Sequence, residues 1–133
     1  MGNWEIFKII YVEDNYGNIH KRISECGINV HYETEPPHGD GIYSVTLKNK
    51  KLPFWIYGRN LIFLDAYYLL ADTVEAHTWN PITSRLINIH TGESASLGDW
   101  YNNVKVKENE VELKNDFTGE TMILKDVENL NWV

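Results

Sequence analysis

The chain is dominated by short apolar runs separated by Gly, Asn, Asp and Pro. Residues 4–12 are rich in Ile, Phe, Tyr and Val, stop at Asn15-Tyr16-Gly17-Asn18, and resume at 19–23, a hairpin pattern. Over 28–33, Ile28, Val30 and Tyr32 alternate with Asn29, His31 and Glu33, the period of a half-buried strand. Pro36-Pro37-His38-Gly39-Asp40-Gly41 is a loop, because two prolines fix φ and remove donors. Residues 42–47 and 52–57 flank the polar turn Asn49-Lys50-Lys51 and read as a second hairpin. Pro53 begins its second strand, a placement that suits a sheet edge.

Residues 60–77 are ambiguous. As a helix, 65–76 would place Tyr67, Leu70, Ala71 and Val74 on one face with Asp65 as the cap. As strands, 61–64 would bend at Asp65 and continue from Tyr67 to Ala71, which the strand-like neighbours and Tyr67-Tyr68-Leu69-Leu70 favour. Further on, 85–90, the turn Thr91-Gly92-Glu93 and 94–97 form another hairpin. Val104, Val106, Val111 and Leu113 then share one face against Lys105, Lys107, Glu110, Glu112 and Lys114, with a turn at Glu108-Asn109. Thr118-Gly119-Glu120 leads into 121–125, completing a three-strand meander, and Val127, Leu130 and Trp132 fold back onto the core. The expectation is a single mainly β domain over 1–133. It has about nine or ten short antiparallel strands in a barrel or two-layer sandwich, with one helix near 65–77 as the alternative.

With 133 residues, 43% of them hydrophobic and 13% aromatic, the chain can bury a core of its own. Its one cysteine, Cys26, cannot form an internal disulfide, and its Cys-Gly setting has no nucleophile signature. The beginning of the sequence lacks the basic and apolar regions of a signal peptide, and no apolar window is long enough to span a bilayer. These features predict a cytoplasmic protein.

The formal net charge of -7 argues against nucleic acid as a partner. Residues 1–60 are balanced, whereas 61–103 carry five acids against Arg85 alone and 104–133 carry seven against four lysines. The same region holds Trp79, Trp100, Trp132, Tyr67, Tyr68 and Tyr101. Acids that steer and aromatics that anchor suit the docking of a basic protein. The candidate contact residues are Asp65, Asp72, Glu75, Trp79, Asp99, Trp100 and Tyr101, with the loops around Trp79 and Trp100 as the contact surface. The competing reading is a solvated acidic face over an aromatic core.

The densest run of potential metal ligands is 31–40, where His31, Glu33 and Glu35 share a strand face and His38 or Asp40 could return toward them. His31, Glu33 and His38 are weak metal candidates, a polar strand face being the simpler account, and no cofactor is expected. No phosphate loop, dinucleotide fingerprint, Cys-x-x-Cys, His-Glu-x-x-His or Gly-x-Ser-x-Gly occurs, so the chain leans away from an enzyme. The leading expectation is an inhibitor that neutralises a basic partner, in its most concrete form an immunity protein against a bacterial toxin such as a nuclease. The alternative is a β-barrel that binds a small molecule or metal, or an enzyme, with 31–40 at its mouth.

Overall fold

The structure, a computed structural model, describes residues 6–10, 27–37, 39, 41–59, 61–64, 67–107, 110–125 and 127–133. The expected first hairpin turn, Cys26, His38, Asp40, Asp65 and the Glu108-Asn109 turn lie outside the described residues. Among those described there are eleven strands and one 3-10 turn, Val127–Asn129. The strands are β1 Ile6–Ile10, β2 Ile28–Thr34, β3 Ile42–Leu47, β4 Lys50–Tyr57, β5 Leu61–Leu64, β6 Tyr68–Glu75, β7 Thr83–Asn88, β8 Ser94–Ser96, β9 Asn103–Val106, β10 Val111–Lys114 and β11 Thr121–Leu124. All pairings are antiparallel. Among the described residues eight strands form one large sheet and β9, β10 and β11 a second; the described strands of the large sheet do not close into a barrel, and of the two expected architectures the arrangement is that of a sandwich. No described helix is long and apolar enough to cross a membrane.

The ambiguous segment is strand. β6 pairs with β7 from Tyr68↔Asn88 to Thr73↔Thr83, and its run continues to Glu75, past the expected limit at Ala71. Its other edge is shared. β5 takes Tyr68 to Leu70, and β4 takes Thr73 to Glu75. β4 and β5 therefore lie end to end along β6, with a break at Gly58-Arg59 opposite Ala71 and Asp72. The β3–β4 turn is tighter than expected, with Lys48 (φ 51°) and Asn49 (φ 65°) both left-handed, the backbone of a two-residue hairpin turn. Pro53 sits in an irregularity of the β3–β4 ladder rather than on an edge, where its missing N–H costs no ladder bond.

Alternation sorts the side chains of the large sheet into two sets. One face gathers Tyr43, Val45, Leu47, Leu52, Phe54, Ile56, Leu61, Phe63, Leu69, Ala71 and Ile87 into the inner core. The opposite face carries two separate clusters. Ile62, Leu64, Leu70 and Leu86 pack against Val104, Val111, Leu113, Met122 and Leu124 of the small sheet, joined by Val127, Leu130 and Trp132 as expected. Ile42, Trp55, Tyr57 and Val74 form the second cluster. Between the two clusters, the same face of β6 and β7 presents polar residues, Asp72 and Ser84.

Candidate functional site

The polar interval is where the site lies. A cleft of about 330 Å³ opens there, between β5, β6 and β7 of the large sheet and the start of β9 with the β10–β11 turn of the small one. Ile62, Leu70, Ala71 and Val104 supply apolar walls; Asp72, Ser84, Tyr101, Asn102, Asn103 and Asp116 supply polar groups. A few convergent polar groups on an apolar floor is the usual construction of a binding cleft, and the volume is at the small end of the ~300–1,000 Å³ range for ligand sites.

Asp72 is its central charge. The break between β4 and β5 projects Arg59 back over the sheet, where its Nε meets Asp72 Oδ2 at 3.5 Å. The guanidinium also lies over the Tyr57 ring, 4.3 Å from its centre, and 5.7 Å from that of Trp100. The Asp72 side chain is only 9% exposed, and that burial pushes its pKa above the ordinary 3.8, with Arg59 acting in the opposite sense. The Trp100 indole lies near enough to favour the charged form, but its Nε1 is buried and no acceptor meets it in hydrogen-bonding geometry.

The rim is assembled from two turns that the sequence separates. The Asp99 carbonyl accepts the Ser84 N–H at 2.9 Å, and Ser84 Oγ accepts the Tyr101 N–H at 2.9 Å, fixing the 99–101 loop on β7. Asn115, buried, holds the other turn. Its Oδ1 accepts the N–H groups of Phe117 and Thr118 at 2.9 and 3.2 Å, while its Nδ2 donates to Asp99 Oδ1 at 3.2 Å. Asn102 Oδ1 accepts the Asp116 N–H at 2.9 Å, and Asn103 Nδ2 lies 3.5 Å from both Asp116 carboxylate oxygens. Trp100 stacks on Phe117, centroids 5.8 Å apart and planes 24° apart; Phe117 is 77% exposed. Burial first, then the charges of Asp99 and Glu120, push the Tyr101 phenol up. Lys105 and Lys114 line a separate depression with Glu112.

The expected contact residues thus divide. Asp99 and Trp100 are half-buried at the rim, whereas Asp72 and Tyr101 are buried behind it. Trp79 is 44% exposed, and its carbonyl accepts the Tyr57 hydroxyl at 3.0 Å, so Tyr57 and Arg59 link the Trp79 loop to the Trp100 loop. Glu75 is exposed at the end of β6, where its charge acts on Arg85. Asp65 lies outside the described residues. Asn102 and Asn103 belong to the expected Trp100 loop, whereas Arg59, Ser84, Asn115, Asp116 and Phe117 were not expected. The meander register, which sets Asn103 opposite Lys114, was the available signal for the 115–117 turn.

On β2, His31 Nδ1 lies 3.2 Å from Glu33 Oε2, which also accepts the Ser44 hydroxyl at 2.7 Å. The Ser44 bond, then the His31 contact, lowers the Glu33 pKa against its partial desolvation. His38 is outside the described residues, among which no three His, Cys, Asp or Glu side chains converge on a point. Among the described residues the cleft wall contains no His, Lys or Cys, and its one hydroxyl-bearing aliphatic side chain, Ser84, lies cross-strand from Asp72 with its Oγ accepting the Tyr101 N–H. The arrangement offers charge, hydrogen-bond acceptors and aromatic surface. No protein-family model matches the chain, and neither a curated protein sequence nor a solved structure resembles it significantly.

Proposed function

We propose that the chain is a small acidic binding protein that docks a basic protein partner through the rim formed by the 99–103 loop and the 115–120 turn. In its most concrete form it is a cytoplasmic immunity protein that blocks a bacterial toxin such as a nuclease. The observation that carries this reading is the gathering of Asp99, Asp116 and Glu120 beside the Trp100–Phe117 stack, whose Phe117 is exposed: Asn115 Nδ2 holds the Asp99 carboxylate, Asn103 faces that of Asp116, and the Glu120 carbonyl accepts the Asn115 N–H. Carboxylates accelerate encounter with a positive surface; a rigid aromatic pair anchors the complex once formed. An enzyme that binds phosphates presents positive charge, which such a rim meets with carboxylates in place of phosphates.

The test is retention of a partner from the native lysate at low salt through a wash at ~0.15 M, where screening beyond ~8 Å is strong. A stoichiometric basic protein should be retained by the wild type and by Glu93→Lys, which lies at the far end of the β7–β8 hairpin. It should be lost from the Asp116→Lys/Glu120→Lys double variant and weakened in Phe117→Ala. Equal retention by all four proteins would remove the rim as the docking surface.

A further inference from the structure

The cleft behind the rim has an unused valence. Asp72 is buried, yet the one donor that meets it in hydrogen-bonding geometry among the described residues is Arg59 Nε at 3.5 Å, with the Trp100 indole N–H nearby but outside that geometry. Strong carboxylate–guanidinium pairs are bidentate at ~2.7–2.9 Å, and the Arg59 guanidinium is instead shared with the Tyr57 face. A buried charge without full pairing is costly, so natural structures seldom leave one incompletely matched without a use for it. Asp72 itself belongs to the cleft wall. Asp116 stands on the same wall, exposed. Ile62, Leu70 and Val104 line the apolar side of the cleft. A deep carboxylate, a shallow one and an apolar wall match a cationic head on a methylene stem.

On the reading above, that of a protein which docks a basic partner, we infer that the cleft is the receptor for one arginine or lysine side chain of that partner. Its head pairs with Asp72, its stem lies on Leu70 and Val104, and Asp116 guides it in. The aromatic rim then excludes water around the pair, which is how central anchors at interfaces gain their strength.

The experiment uses the intact chain, uniformly labelled with nitrogen-15, titrated with N-acetylarginine amide, with N-acetylcitrulline amide as the uncharged isostere, and with spermidine. The arginine amide should give saturable amide shifts at Ser84, Asn102, Asn103 and Asp116, and the citrulline amide should bind at least ~10-fold more weakly. Asp72→Asn should weaken arginine amide binding by roughly 30-fold or more. Asp116→Asn, at the exposed end, should weaken it by less and serves if Asp72→Asn does not fold. Equal binding of the citrulline amide, or no saturable shift at those amides, overturns the inference. Spermidine binding ~10-fold more tightly than the arginine amide assigns the cleft to a free polyamine and overturns the partner-side-chain claim. Failure of the titrations alongside loss of partner from the rim variants removes the cleft and leaves the docking surface. Saturable arginine amide binding with no effect of the rim variants removes the docking surface instead.

Discussion

At the scale of single residues, Asp72 links stability to pH in a direction opposite to most carboxylates. Its folded pKa lies above the ordinary 3.8 because burial penalises the charge more than Arg59 and Trp100 favour it. The folded state therefore holds the proton to higher pH than the unfolded chain does. Its contribution is most favourable below pH 3.8, declines as pH rises through the raised folded value, and is least favourable above it. Subtracting the stability of Asp72→Asn from that of the wild type, by urea unfolding between pH 3 and pH 7, should give a difference that falls with rising pH. A flat or rising difference would show that Arg59 outweighs the burial. Asn115 acts differently, since it is neutral and both ends of its amide are used. Asn115→Ala should cost about 1–3 kcal/mol by leaving the Phe117 and Thr118 donors and Asp99 without it. It should also loosen the Trp100–Phe117 stack, readable as a change in near-ultraviolet dichroism.

At the scale of elements, the small sheet was the most legible part, and the physical reason is solvation. One face of β10 packs Val111 and Leu113 into the core while Glu112 and Lys114 face out, so hydrophobicity alternates cleanly. β6 has no such signature. Leu69 and Ala71 enter the inner core while Leu70 and Val74 enter the outer clusters, so both faces are apolar and the period disappears. That is why 65–76 keeps a helix as its alternative reading, with strands favoured by their neighbours and by Tyr67-Tyr68-Leu69-Leu70. The cleft was half legible. The meander fixes Asn103 near Asp116, but the approach of Arg59 to Asp72 depends on β4 and β5 sharing an edge of β6, which no local pattern announces. Among the described residues the two sheets meet through side chains and no ladder joins them. Leu113→Ala, at a fully buried site, should cost about 2–5 kcal/mol. Amide exchange should then rise at Val104, Leu113 and Met122 more than at Leu69 and Ile87. A uniform rise would mean that both sheets open as one unit.

At the scale of the whole molecule, one sheet serves two interiors. Its inner face is closed and apolar, while its outer face is divided, and the division is where charge enters the fold. The shared edge of β6 also has a consequence in time. The pairings Ile62↔Leu70 and Thr73↔Thr83 close short loops, whereas Ile56↔Thr73 must span the break at Gly58-Arg59 as well. Chains form their nearest contacts most readily, because closing a loop costs entropy before its contacts repay it. The order expected is β5, β6 and β7 first, β4 onto the remaining stretch of β6 later, and the Arg59–Asp72 contact last. Val74→Ala should accordingly have a φ-value near zero and Leu69→Ala a higher one. Contacts absent from the transition state govern the rate of unfolding and leave the rate of folding almost untouched. A cation held on Asp72 therefore extends the lifetime of the folded chain without hastening its birth.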